Sequence, residues 1–143
     1  MLKGVPKIIS PELLKKLSEA GHGDEIVIAD GNFPAETFGK RVVRADGISG
    51  TKMLEAVLSL VPLDTYSDPN FMLMQLTDSD KGKINPTIWE DYKKIANEKD
   101  DNVRVGFIDR FDFYERAKSA YVVIATGEEA VYANIIIKKG VIK

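Results

Sequence analysis

The amino-acid sequence predicts an α/β fold: a single layered α/β/α domain around a mostly parallel six-stranded sheet. Three observations carry this expectation. Apolar runs of strand length recur along the chain, segments with a helical period separate most of them, and Gly and Pro mark the joins without clustering into a linker. The chain has 143 residues, the length of one domain. Folding at this size buries roughly 70% of the unfolded surface, enough for a core without disulfides or structural metal.

Ser10-Pro11-Glu12 starts the first helix, because Ser can cap free amides and a first-turn Pro gives up no needed hydrogen bond. Leu13, Leu14 and Leu17 form its apolar face, and Gly21 is expected to close it in a left-handed conformation. Residues 25–29 follow as a buried strand ending on Asp30. Gly31 and Pro34 then make residues 31–35 a loop. After a short strand at 41–44, Met53, Leu54, Val57, Leu58 and Val61 keep a helical period until Pro62, and residues 71–76 read as a strand. Asn85-Pro86 begins a third long helix whose packing face is Ile88, Trp89, Tyr92, Ile95 and Ala96. Residues 103–108 form a strand, 111–117 a short helix and 121–125 the strongest strand, which Gly127 ends. In the last strand, 132–137, the run Ile135-Ile136-Ile137 predicts cover on both faces, by helices or by a neighbouring subunit.

Composition excludes several chemistries. Cysteine is absent, which removes thiolate catalysis and disulfides and favours a reducing compartment. A net charge of -2 gives no field to attract nucleic acid or anionic lipid. No segment approaches the ~20 apolar residues of a membrane span, and residues 1–7 lack a signal-type apolar stretch, so a cytoplasmic protein is expected. No Gly-Lys-Ser/Thr phosphate loop occurs, and Gly47-Ile48-Ser49-Gly50 lacks the dinucleotide spacing. The acidic stretch 78–82 misplaces its glycine for a calcium loop and reads as a solvated turn. His22 is the only histidine, so a His-based zinc site and any mechanism with two imidazoles are excluded; no metal is expected.

Ligands of open α/β sheets sit beyond the carboxyl ends of strands, which directs attention to Asp30, Asn32, Asp109 and Arg110. Asp30 is either a ligand contact or a cap of its turn. Arg110 either grips a polyol or anion, or pairs with Asp109, Asp112 or Glu115 on a wet surface. His22, between Gly21 and Gly23, lies where helix carbonyls favour a cation and where its ring is accessible; it is either a surface helix cap or a functional imidazole. Tyr132 and Asn134, separated by Ala133, alternate along a strand and share a face, as a pocket wall or as ordinary solvent-facing positions. Phe33 or Tyr114 offers an apolar face to a ligand, although helical spacing favours a core role for Tyr114.

Taken together, residues 9–14, Gly21-His22-Gly23-Asp24-Glu25-Ile26, Ala29-Asp30-Gly31-Asn32-Phe33-Pro34-Ala35 and Arg44-Ala45-Asp46-Gly47 resemble the L-fucose mutarotase and D-ribose pyranase family. Residues 110–117, Thr126-Gly127-Glu128, Tyr132-Ala133-Asn134-Ile135 and 138–141 continue the resemblance nearly to the end of the chain. It implies the D-ribose pyranase-like fold and an isomerase that interconverts the α and β anomers of L-fucose, with pyranose and furanose forms of ribose as further substrates. It implies no cofactor, and a ring-shaped homo-oligomer, a decamer, with sites near subunit contacts. By the family pattern His22 is the proton donor, Asp30 and Arg110 bind sugar, and Tyr132, Ala133 and Asn134 complete the pocket. Asp30 is also the candidate to orient His22 or to receive the second proton. Where family members often carry Ala-His after this aspartate, the chain has Gly31-Asn32, so a second ring nitrogen is missing there. A non-enzymatic monosaccharide-binding module is the alternative; it needs the same polar groups but no protonatable His22. A purely structural oligomer subunit would need neither.

Overall fold

The computed structural model describes residues 1–143. Its strands are β1 (Glu25–Ala29), β2 (Val42–Ala45), β3 (Phe71–Met74), β4 (Val105–Ile108), β5 (Val122–Thr126) and β6 (Ile135–Lys138). The helices are α1 (Pro11–Glu19), α2 (Ala35–Phe38), α3 (Gly50–Leu58), α4 (Ile88–Lys99) and α5 (Arg110–Ser119). All six strands join one sheet in the order β2-β5-β1-β6-β3-β4. β5 runs parallel to β1 and β2, and β3 parallel to β4; β6 is antiparallel to both β1 and β3. Five strands therefore point the same way, and β6 alone runs back between them.

Alternation of side chains across this sheet makes two apolar layers. On one face Ile26, Ile28, Ile124, Ile135 and Ile137 pack against α1, α3 and α4 through Leu13, Leu17, Met53, Leu54, Val57 and Tyr92. On the other, Val27, Ala29, Val123 and Ile136 meet α2 and α5 through Ala35, Phe113 and Ala117. The three consecutive isoleucines of β6 are thus covered on both faces by helices of the same chain.

Several boundaries differ from expectation for local reasons. Ser10 accepts a hydrogen bond from the Leu13 amide at 3.1 Å, as its position predicts. Yet α1 ends on extended Ala20, and the left-handed residue is Gly23 (φ 84°), not Gly21. Lys139 satisfies the helix end instead, its Nζ donating to the carbonyls of Leu17 at 2.8 Å and Ala20 at 2.5 Å. The expected loop at 31–35 gives way at Ala35 to the single turn of α2. Ser49 caps α3, which therefore starts ahead of the apolar period and stops at Leu58. The last strand begins only at Ile135, because Trp89 Nε1 donates to the Tyr132 carbonyl at 2.8 Å and the buried Tyr92 hydroxyl donates to that of Ala133 at 3.0 Å. Those bonds hold residues 132 and 133 out of the ladder, and Asn134 keeps a single long bond to β3, its carbonyl accepting from the Met74 amide at 3.4 Å. No helix of the structure is long and apolar enough to cross a membrane.

Candidate active site

The carboxyl ends of β1, β3 and β4 come together with the entry into β6, and a cleft of about 360 Å³ opens there. Such a cleft lies at the small end of the ~300–1,000 Å³ range of ligand sites. Its walls are polar on both sides: Asp30, Asn32 and Asn134 face Thr77, Asp80 and Arg110.

Asp30 sits at the end of β1 and is only 6% exposed. Its backbone amide donates to Asn134 Oδ1 at 2.8 Å, Asn134 Nδ2 donates to Asp30 Oδ2 at 3.0 Å, and the Asn32 amide donates to Asp30 Oδ1 at 3.0 Å. Burial pushes the carboxyl above the usual carboxylate range, against these hydrogen bonds, which pull it down. A desolvated carboxyl with a raised pKa on the wall of an open cleft has the properties of a proton-transfer group. The turn-cap reading of Asp30 holds, since it accepts from the Asn32 amide, and the same side chain lines the cleft.

Arg110 opens α5 and lines the cleft. It forms no ion pair with Asp109, Asp112 or Glu115; its Nε donates to the Tyr114 hydroxyl at 2.8 Å, and the guanidinium lies over the rings of Phe111 and Tyr114. The remaining guanidinium donors are open to a ligand. Phe33 packs edge-on against Phe113 and Tyr114 and, with Tyr114, gives the cleft its apolar side.

Tyr132 and Asn134 do line one pocket, but not as alternate residues of a strand. Tyr132 has φ 58°, a left-handed conformation that costs a non-glycine residue of order 1–3 kcal/mol and is held by the contacts around it. Its hydroxyl donates to Asp80 and lies 3.2 Å from Thr77 Oγ1. Ala133 is buried and contributes a backbone carbonyl to Tyr92 rather than a side chain to the cleft. Asp80 had read as part of a solvated turn. Nothing local marks it, because its partner Tyr132 is 52 residues away in the chain.

His22 lies elsewhere. It precedes β1, whereas Asp30 follows it, and a five-residue strand spans ~16 Å. The two candidate catalytic residues are therefore at opposite ends of the sheet in one chain. The helix-cap reading of His22 fails, because Lys139 occupies the α1 carbonyls. Instead His22 Nε2 is 3.0 Å from Oδ1 of buried Asp64, its side chain is 46% exposed, and its ring tilts against Tyr66 with centroids 5.6 Å apart.

Known proteins provide the comparison. The profile of the RbsD / FucU transport protein family matches residues 3–142. The chain is 50% identical over 143 residues to mouse (Mus musculus) fucose mutarotase, covering 97% of this chain and 94% of that one. It is 47% identical over 142 residues to L-fucose mutarotase of Histophilus somni, covering 99% and 97%. Among solved structures, FucU from Bifidobacterium longum superposes with a TM-score of 0.94 at 52% identity, covering 99% of this chain and all of that one. The fucose mutarotase of Streptococcus pneumoniae, solved in complex with L-fucose, gives 0.92 at 44% identity over 99% of this chain and 100% of that chain. Bacillus subtilis RbsD, complexed with D-ribose, shares the fold at a TM-score of 0.75 and 22% identity, with full coverage of both chains. With the six-stranded architecture, the profile over nearly every residue and relatives near half identity all in agreement, this chain belongs to the RbsD / FucU family.

Proposed function

We infer that this protein is an L-fucose mutarotase, an isomerase that interconverts the α and β anomers of the free sugar. The observation that carries the reading is the buried Asp30 carboxyl on the wall of a polar cleft, in a chain similar to fucose mutarotases over almost its whole length. Anomer exchange needs one group to take the proton of the anomeric hydroxyl and another to protonate the ring oxygen. As the C1–O5 bond breaks, an open-chain aldehyde forms; rotation about C1–C2 and the reverse transfers close the ring with the other configuration. Asp30 receives the hydroxyl proton, its raised affinity for protons suiting it to hold and return one. Arg110 and Asn134 orient the sugar hydroxyls, and Tyr132, tied to Asp80, closes the pocket.

His22 supplies the second proton, and its place at the far end of β1 supports a site shared between copies of the chain. A residue at the amino end of the sheet reaches a cleft at the carboxyl end only across a contact between two copies, and a head-to-tail contact makes that juxtaposition. Repeated contacts of that kind form a ring where their rotation closes. The reading includes the homo-oligomeric ring, a decamer, that the family resemblance implies, with each cleft completed by His22 of the neighbouring copy. Cytoplasmic location is part of the same proposal and agrees with the absence of cysteine. Pyranose–furanose exchange of ribose would use the same two transfers with a different hydroxyl closing the ring.

The test is magnetisation-exchange NMR on equilibrated L-fucose, following transfer between the α and β anomeric protons. Transfer that depends on catalytic amounts of protein is the expected result. Absence of transfer, together with binding heat on titration with L-fucose, would replace the enzyme by a monosaccharide-binding module.

A further inference from the structure

At the amino end of the sheet, opposite the cleft, a second polar cluster surrounds His22. Its centre is Asp64, a carboxylate only 2% exposed. Ser67 Oγ donates to its Oδ2 at 2.5 Å, and the Tyr66 amide donates to its Oδ1 at 3.2 Å. The segment that carries it is braced from behind: Asn70 Nδ2 donates to the Asp64 carbonyl at 2.9 Å, and Arg104 donates to the carbonyls of Thr65 at 2.9 Å and Ser67 at 3.1 Å. Of the side chains on Asp64, Ser67 is fully used within this segment, while His22 comes from 42 residues away and is half exposed. A rigid buried carboxylate behind a half-exposed imidazole is how proteins fix the tautomer and direction of a reactive ring.

We propose that Asp64 is the positioning residue of His22. By accepting a hydrogen bond from Nε2–H it makes Nδ1 the nitrogen presented to the sugar, and its charge stabilises the ring while that ring carries both protons. The inference rests on the reading of His22 as the proton donor. The Ser67 hydroxyl, followed by His22 and the Tyr66 amide, holds the Asp64 carboxyl down to about 2 despite its burial, so it stays ionised. If Asp64 served only to staple residues 64–67, its charge would be dispensable, because an asparagine keeps an acceptor for Tyr66 and His22 and a group for Ser67.

Because His22 is the only histidine, its ring nitrogens give the only imidazole signals in a 15N spectrum of the whole protein. In the parent, with the ring neutral, Nε2 should show the protonated shift and Nδ1 the bare one; the opposite tautomer overturns the proposal without any variant. Asp64→Asn should blur that preference and lower anomer exchange at saturating L-fucose about 10–100-fold, while sugar affinity stays within about twofold. Exchange at the parent rate in a folded Asp64→Asn protein overturns the positioning role. His22→Ala separates the two levels. If it abolishes exchange while Asp64→Asn does not, only the role of Asp64 falls; if it exchanges at the parent rate, both readings fall together.

Discussion

Asp30 is buried among the neighbours that hydrogen-bond it. Asn134 and the Asn32 amide fill its lone pairs on the protein side, and desolvation raises its affinity for a proton. If the carboxylate accepts the anomeric proton, exchange should begin to fall with decreasing pH above the ordinary ~4 of a carboxylate. A profile that stays flat down to that pH would remove Asp30 as the base. His22→Ala should lower exchange by about 10²–10⁴-fold with unchanged circular dichroism, since the half-exposed ring carries little packing. Arg110→Ala should act on affinity instead: titration should show L-fucose binding roughly 10- to 100-fold weaker, whereas tight binding with lost turnover would contradict a binding role. That Asp30 and Arg110 lie on the cleft was legible from their positions after strands, while His22 stood out by its two flanking glycines after the first helix and by resemblance. Asp64 and Asp80 were not legible, because their partners lie 42 and 52 residues away and such pairings leave no local pattern.

Among the elements, α4 does most to shape the cleft without entering it. Its Trp89 and Tyr92 hold the carbonyls of residues 132 and 133, which sets Tyr132 in its left-handed turn and places Asn134 against Asp30. Tyr92→Phe should therefore leave a buried carbonyl without its donor, at ~1–3 kcal/mol of stability, and weaken L-fucose binding although Tyr92 does not line the cleft. Thermal unfolding and titration check both halves, and loss of stability alone would show that the turn does not depend on this bond. The segment carrying Asp64 makes a different prediction. Its folded carboxyl, at about 2, lies below the ~3.9 of an unfolded Asp, so its ionised interactions contribute stability above about pH 4 and lose it as pH falls toward 2. Acid unfolding of Asp64→Asn should lack this part of the slope. Element identities were readable because apolar runs and helical periods are local. The 132–137 boundary was not, since two side chains of α4 override a stretch that alternates like a strand.

For the whole molecule, parallel strands separated by helices predicted the layers, and the reversed β6 is the one break in direction. That reversal matters, because it brings residues 132–134 to the same sheet end as Asp30 and Arg110. The strand read at 25–29 already put His22 and Asp30 a strand's length apart; what local patterns could not show is that Asn134 and Arg110 join the end that holds Asp30, and Asp64 the end that holds His22. The order of the strands in the sheet gathers each of these groups, so the proposed machinery is divided between two ends of the molecule. The most direct test of this division mixes two inactive proteins. His22→Ala and Asp30→Asn chains are refolded together in equal amounts, and L-fucose anomer exchange is measured as for the parent. In a head-to-tail ring, about a quarter of the clefts pair an intact Asp30 with an intact His22 from the neighbouring copy, so about a quarter of the parent rate should return. A mixture as inactive as its components, in oligomers shown to contain both chains, would contradict a site shared between copies.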